Sequence, residues 1–454
     1  MEPVARGAFL FRRDLRLEDN VGLNEALASS AEVVPIFVRD PRHSPGHPYF
    51  NARAHAFLAQ SLAELDGALR ARGSFLHVLE GDVAAVVTRL VSEGHVQAVF
   101  TNRDYTPFSL CRDGATLALC RRRGVPFTVT DDAVLHAPEA ILSGSGRPYE
   151  VFGAYFRAAR RRPMPAPAPL AAGRFAALKL PDLLPLPALP EGSRPALPGG
   201  RTHGLALLRR ARGLVEYAAT RDVPSLDGTS LLSAHLRFGT LSPREVHHAL
   251  LGSLGPDHEL LRQLHWREFF TQVAYHNPKV FGAPFRDELA SVSWSRSTAL
   301  LDAWTEGRTG VPLVDAGMRQ LACTGLLHNR VRMVAASFLV KDLHVDWQEG
   351  ERVFARRLID HDPCLNNGNW QWVAGTGCDA QPWFRVFNPW VQQRQYDPYA
   401  VYVKRWLPEL AGVCPERIHA IATKGVPPGV SYPPPMVDHG VEAARAKGLY
   451  ARGS

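Results

Sequence analysis

Between Arg160 and Gly200 the chain reads RRRPMPAPAPLAAG and then LKLPDLLPLPALPEGSRPALPGG. Proline at that density removes backbone donors and fixes φ, so neither a helix nor a central strand can run through it. The stretch predicts an extended connection laid across the surface, with a separate fold on either side. The division expected is an α/β domain over residues 1–131, the proline-rich connection over 132–200 and a helical domain over 201–454. A length of 454 residues suits two domains.

Ahead of the connection, short apolar runs alternate with helical patterns. GAFLF, EVVPIFV, SFLHVLEG, VQAVFT and VPFTVTD read as buried strands. RAHAFLAQSLAELDGALRARG, DVAAVVTRLVSEGH and LCRDGATLALCRRRG read as amphipathic helices between them. This alternation predicts a five-stranded parallel sheet covered on both faces, Rossmann-like in shape. The loop from Arg12 to Asn20 after the first strand holds no glycine. A dinucleotide site needs glycine there so that the backbone can approach the pyrophosphate, and a dinucleotide held in the usual way is not expected.

Past the connection the chemistry changes. All nine tryptophans lie between Trp266 and Trp406, and helical patterns dominate. In NRVRMVAASFLVKDL, residues Val331, Val334, Ala335, Phe338 and Leu339 fall on one stripe, which predicts a buried face. Ser242-Pro243-Arg244-Glu245 has a capping serine, proline in the first turn and glutamate at the third position, a helix start. Within this part, FARRLIDHDPCLNNGNWQW (354–372) stands out. A helical pattern ends near Ile359; Asp360, Asp362, an Asp-Pro turn and Asn-Asn-Gly-Asn then predict a break. So many polar groups beside Trp370 and Trp372 suit the wall of a ligand pocket. They equally describe a loop between helices with two core tryptophans. A metal site on Asp360 and Asp362 lacks further carboxylates at useful spacing.

Composition narrows the partner. The formal net charge is +8, mostly from arginine, and the pI is about 9.3, which points to an anionic partner. Six cysteines lie scattered at 111, 120, 323, 364, 378 and 414 without a C-x-x-C pair, so neither a zinc site nor a disulfide framework is indicated. A reduced cytoplasm fits, and no apolar run has the length of a signal peptide core or a membrane span. A cytoplasmic monomer without membrane contact is expected.

The runs DGTSLLSAHLRFGTLSPR (227–244), WREF (266–269), TGLLHNRVRM, SFLVKDL, LIDHDPCLNNGNWQW, FRVFNP (384–389) and KRWLPEL (404–410) resemble, in collinear order, the DNA photolyase/cryptochrome family. FRRDLRLEDN (11–20) looks like the first-strand signature of that family, and the likeness covers nearly the whole chain. What the resemblance implies is a light-driven DNA repair enzyme, most like a class I cyclobutane pyrimidine dimer photolyase. FAD would lie in the all-α C-terminal domain. On this likeness Tyr217, Thr229, Ser230, Leu231, Leu232 and Ser233 hold the FAD phosphates, a task that hydroxyls and free N–H groups at a helix start suit. Arg267, Asn329, Arg332, Asp360, His361, Asp362 and Asn366 surround the isoalloxazine and ribose. Asn366 sits by flavin N5, where an aspartate is typical of plant-type cryptochromes. A fixed arginine near the ring stabilises anionic reduced flavin.

Trp370, Trp347 and Trp294 match the family's electron-transfer chain from surface to flavin. Arg221, Gln263, Trp266, Asn329, Arg330, Met333, Trp372 and Gln392 match its DNA side. Trp266 and Trp372 would wall a flipped pyrimidine dimer, and Arg221 and Arg330 would hold flanking phosphates.

Two positions depart from the family pattern, of which the first bears on the substrate and the second on the loop alone. Gln263 stands where cyclobutane-specific members carry glutamate, and glutamine there also resembles the (6-4) branch. That branch, however, has paired histidines where this chain reads His328-Asn329, so the expected acid for (6-4) chemistry is missing. Asn369 replaces a frequent glycine. Repair of the cyclobutane dimer is the favoured reading, with (6-4) repair or a cryptochrome-like blue-light photoreceptor as alternatives. Signalling members commonly carry a long C-terminal tail, and only about forty residues follow KRWLPEL. A dark flavin oxidoreductase would want a nicotinamide site, and no Gly-rich fingerprint is present. For an antenna chromophore, Thr106 falls where folate-binding members place a carboxylate; a deazaflavin or second flavin is preferred to folate, and none at all stays open.

Overall fold

The structure is a computed structural model that describes residues 3–41, 44–189, 195–380 and 385–451. Strands β1 (Val4–Phe11), β2 (Ser30–Arg39), β3 (His77–Glu80), β4 (Ala98–Asn102) and β5 (Phe127–Thr130) alternate with α1 (Val21–Ser29), α2 (Ala52–Arg70), α3 (Val83–Ser92) and α4 (Pro107–Arg122). Helices then follow almost without interruption by strands. They are α5 (Phe152–Ala159), α6 (Arg201–Ala211), α7 (Tyr217–Thr220), α8 (Ser233–Phe238), α9 (Pro243–Leu254), α10 (Glu259–His276), α11 (Thr298–Thr305) and α12 (Pro312–Thr324). Next come α13 (Asn329–Ser337), α14 (Trp347–Arg357), α15 (Pro363–Ala374), α16 (Pro389–Tyr396), α17 (Val401–Trp406), α18 (Pro415–His419), α19 (Ile421–Lys424) and α20 (His439–Ala451). The chain forms two compact units. One comprises Met1–Tyr149, Gly153–Gly213 and Ser230–His276; the other comprises Glu150–Phe152, Leu214–Thr229 and Asn277–Ser454.

In the first unit the sheet is parallel throughout, in the order β3-β2-β1-β4-β5, so the five expected strands pair as the alternation requires. Helix α1 is an addition to the sequence reading; it is short, and Asn20 starts it by accepting the N–H of Leu23. The strand order reverses between β1 and β4, the place where open sheets of this kind hold ligands. Here that crevice is filled by the chain's own side chains. Arg16 makes a two-pronged bond to Asp132 at 2.7 and 2.8 Å, and Arg244 of α9 donates to the same carboxylate at 2.7 Å. Asp14 accepts from Asn102 and from the N–H of Arg12. Against burial, which raises it, Arg16 and Arg244 hold the Asp132 carboxyl below the usual carboxylate range. Gly239 ends α8 at φ +66, and a Cβ there would meet the Arg13 carbonyl at 2.1 Å, so the first-strand loop and α8 touch backbone to backbone. Helices α6, α8, α9 and α10 thus belong with the sheet.

From residue 160 to 200 the described residues form neither helix nor regular strand, as the prolines predict, but the expected connection over 132–200 is too wide at its start, because α5 (Phe152–Ala159) lies within it. The proline-rich stretch is tied down rather than loose. Single bridges pair Phe175 with Val33 and Leu184 with Val78, and Gly199 and Gly200 donate to Gln60 and Ser61 of α2. Phe175, Leu180 and Leu197 are buried.

The second unit is helical. Its core contains the predicted stripe: Val331, Val334, Ala335, Phe338 and Leu339 are all buried. Past Ser337 the helix widens into one π turn, Phe338–Asp342.

Candidate functional site

One expectation about the stretch 354–372 is corrected. The turn is confined to residues 358–362, and Asn-Asn-Gly-Asn lies inside α15. Asp362 caps that helix, accepting the N–H groups of Cys364 and Leu365 at 3.0 and 3.3 Å, and Pro363 takes the first position, where its missing donor costs nothing. The asparagines do not break the helix because they bond elsewhere. Asn366 donates to the Glu351 carbonyl at 3.0 Å, Asn367 to Val280 at 2.8 Å, and Asn369 back to Leu365 at 2.8 Å.

The bond to Glu351 decides what Asn366 offers. A carbonyl accepts only from N–H, so Nδ2 is fixed and Oδ1 is left as an acceptor with no bond among the described residues. Arg332 of α13 grips Asp360 through one guanidinium nitrogen at 2.9 and 3.1 Å and donates to the Leu327 carbonyl at 2.8 Å. Its charge is therefore partly neutralised before any ligand arrives. His361 lies in the same turn between α14 and α15.

Three tryptophans of this unit fall along connected elements. Trp370 is buried on α15, 4.9 Å from the Phe354 ring and 6.1 Å from Trp304. Gly350 on α14 lets it approach: a Cβ there would meet Trp370 Cη2 at 2.2 Å. Trp347 stands one turn earlier on that helix, on the face of Gly350. Trp294 precedes Ser295, whose N–H donates to His344 at 2.6 Å and which pairs with Val345, two residues from Trp347. Elements carrying all three are thus adjacent.

A groove of about 540 Å³ is lined by Arg330, Met333, Trp372, Gln392 and also Arg385, Val386, Phe387, Asn388, Val391 and Tyr396. Four of the expected DNA residues thus share one groove. Arg330 pairs with Asp222 at 2.9 Å, stands 4.4 Å from the Tyr396 ring centroid and reaches Gln392 at 3.5 Å. Asn329 donates to Met333 Sδ at 3.7 Å. Arg221 lies over the ring of Tyr217, 5.6 Å from its centroid. Thr229 ends this segment of the unit. Arg385 and Tyr396 were missed as lining residues, although the run FRVFNP around Arg385 was visible; its Phe384 lies outside the described residues. His328 caps α13, accepting the Arg330 N–H, and burial pushes its imidazole down to about 4.

The first unit carries the remaining positions. Leu231 holds a left-handed backbone at φ +57, and Ser230 Oγ accepts the Leu232 N–H at 3.5 Å. Helix α8 starts at Ser233 with no side-chain cap. On α10, Gln263 donates to the Glu259 carbonyl at 3.4 Å and Trp266 stacks on Phe270 with 5.5 Å between centroids. Arg267 donates to the Ala133 carbonyl at 2.7 Å and pairs with Glu268 at 3.1 Å. Burial raises the Glu268 carboxyl to about 7, opposed by Arg267. Thr106 caps α4 by accepting the Ser109 N–H. No group of three metal-ligating side chains occurs among the described residues.

Within the second unit, the fixed Asn366 acceptor fits a flavin N–H. No helix of the described residues is long and apolar enough to cross a membrane. Residues 8–172 match the family model for DNA photolyase, and residues 260–452 match the FAD-binding domain of DNA photolyase. The chain is 38% identical to a deoxyribodipyrimidine photo-lyase of Synechococcus sp., covering 97% of this chain and 96% of that one. An archaeal photolyase of Sulfolobus tokodaii, described with two FAD molecules and an implied novel light-harvesting cofactor, matches at TM-score 0.89 and 40% identity, covering 98% and 100%. A cryptochrome of Synechocystis sp. matches at 0.89 and 29% identity, covering 99% and 100%. The chain belongs to the DNA photolyase/cryptochrome family, and FAD is the cofactor its helical domain is built to hold.

Proposed function

We propose that this protein repairs cyclobutane pyrimidine dimers in DNA in a reaction driven by blue or near-ultraviolet light. Reduced FAD, when bound, supplies the excited-state electron that opens the dimer and receives it back, so no net redox change occurs. The chain's own residues bind, orient and exclude water. Asn366 Oδ1 is an acceptor held in place for the flavin N5–H, and Arg332, anchored by Asp360, presents positive charge without freedom to swing. Trp372 and Met333 give the groove an apolar side for two joined pyrimidines of one strand flipped out of the duplex, and Arg330 gives it a cation for a phosphate. Trp370, Trp347 and Trp294 supply electrons when the flavin needs to be reduced. A flavin as second, light-harvesting chromophore is the reading that the Sulfolobus relative supports.

The observation that carries this reading is the groove itself, in which an indole, a thioether and an arginine face one volume. His328 favours the cyclobutane over the (6-4) product. Half-buried, with its imidazole lowered to about 4 by burial and used as an acceptor by the Arg330 N–H, it is neutral near pH 7 and offers no imidazolium acid. Incubation of a dimer-containing oligonucleotide with the FAD-loaded protein tests the proposal. Restored thymines under blue light and none in darkness are expected; equal outcomes in light and dark rule it out, and repair of the (6-4) product alone selects the alternative.

A further inference from the structure

The π turn after α13 aims a lysine inward. Lys341 is 1% exposed; its Nζ donates to the Ala374 carbonyl at the end of α15 at 2.9 Å and lies 3.5 Å from the centroid of the Tyr450 ring. Tyr450, on α20, donates its hydroxyl to the same carbonyl at 2.6 Å. The same ring meets Trp294 edge to face, at 5.9 Å and 78°. The ammonium is therefore one aromatic ring away from the outer indole of the tryptophan row.

Around it, the ionisable groups of every packed element are engaged. Asp342 on the same turn pairs with His439 of α20 at 2.6 Å, and His344 pairs with Glu442 of α20 at 2.6 Å. Asp346 caps α14 through the Gln348 N–H. From α15 comes the Ala374 carbonyl dipole. Burial pushes Lys341 down to about 7, so its charge changes within the physiological range.

We propose that Lys341 is a positioning residue for flavin reduction, acting through Trp294: its ammonium opposes positive charge on that indole, and its neutral amine does not. The inference rests on the reading that Trp370, Trp347 and Trp294 conduct. An electron that moves inward from Trp294 leaves that indole one electron short. A hexacyanoferrate(II) donor in solution returns one electron and becomes hexacyanoferrate(III), which closes the balance. With Lys341 charged, the vacancy is driven back inward before the donor can fill it; with Lys341 neutral, it waits at the surface end.

Light-driven flavin reduction in the holoenzyme, with hexacyanoferrate(II) as a donor that does not titrate between pH 6 and 9, reads this directly. Wild type should reduce several-fold faster at pH 8 than at pH 6, with its midpoint near 7. K341M should be fast and flat across the range, and K341R, which keeps its charge, should be slow and flat. A wild-type pH profile retained in K341M overturns the role of Lys341. In W294F reduction should be slow at every pH; if it equals wild type, the conducting row itself fails and the inference with it. Thermal unfolding of the full chain gives a readout free of photochemistry. The folded pKa of Lys341 lies below its unfolded value, so between about pH 7 and 10 the unfolded chain binds more protons and stability rises with pH. That rise should be smaller in K341M, and an unchanged rise would mean that Lys341 does not titrate inside the fold.

Discussion

The loop Arg12–Asn20 and the segment Asp360–Asn369, a turn running into the first half of α15, are composed alike, of aspartate, asparagine and nearby arginine, yet they use their polar groups in opposite ways. In the first, the carboxylates are spent inside the protein: Arg16 and Arg244 close on Asp132, Asn102 on Asp14. In the second, two side chains are anchored at one end and keep the other. Asn366 fixes its amide nitrogen and keeps its oxygen; Asp360 fixes Arg332 and leaves part of a guanidinium. A polar cluster whose carboxylates are all answered within the chain holds a fold together, while one that keeps an acceptor and a charge over suits a site. The difference cannot be seen in composition.

The largest test falls on the satisfied cluster. Asp132→Asn leaves two buried guanidinium groups facing a neutral amide, and breaking a buried pair in this way costs about 3–5 kcal/mol. Chemical denaturation should show that loss near neutral pH. The folded pKa of Asp132 is depressed, so its contribution is present above the ordinary carboxylate pKa and is lost as pH falls through the folded value. The gap between mutant and wild type should narrow in acid. A loss under about 1 kcal/mol would mean that the network does not hold the first-strand loop.

That network also shows where reading the sequence stopped. Asp132 and Arg16 lie 116 residues apart, and no local pattern announces such a pair. Local signals were legible where local physics decides. Ser242 caps α9 through the Glu245 N–H, and the stripe from Val331 to Leu339 is buried. They misled in α15, where asparagines that favour turns in isolation found partners on Glu351 and Val280 and stayed helical. The five strands were readable because each is a short apolar run. That α6, α8, α9 and α10 pack with the sheet was not, since helix periodicity names a buried face but not its neighbour. The groove was half visible: Arg330, Trp372 and Gln392 came from the family likeness, while Arg385 and Tyr396 are brought in only by folding.

On the half-satisfied side, Trp370→Phe should slow light-driven reduction of oxidised flavin by about tenfold or more while dimer repair by chemically reduced enzyme persists. Loss of both would assign the indole a packing role against Phe354 and Gly350 instead. A smaller effect is expected at the groove. Arg330 already has Asp222 as partner, so a phosphate must compete for it. Arg330→Gln should weaken binding of dimer-containing DNA uniformly across flanking sequences and reduce the slope of log affinity against log salt by about 1. An unchanged slope would place the phosphate contact elsewhere.

The smallest change tests the substrate departure. Gln263 donates weakly along its own helix, to the Glu259 carbonyl at 3.4 Å, and its amide is thus available to a base edge as donor and acceptor. Gln263→Glu removes the donor and sets a second carboxylate one turn from Glu259, a like-charge pair that costs about 0.2–0.5 kcal/mol in an exposed helix. A carboxylate gains instead where it can accept from a thymine N–H, since a bond to a charged acceptor is roughly twice as strong as a neutral one. The two contributions nearly offset, so affinity for a cyclobutane dimer should change by no more than about threefold, a shift under 1 kcal/mol. Competition binding with cyclobutane and (6-4) oligonucleotides measures this. If the substitution raised cyclobutane affinity far beyond that bound, the amide would be a poor fit to this lesion, and the glutamine would mark a protein shaped for the other one.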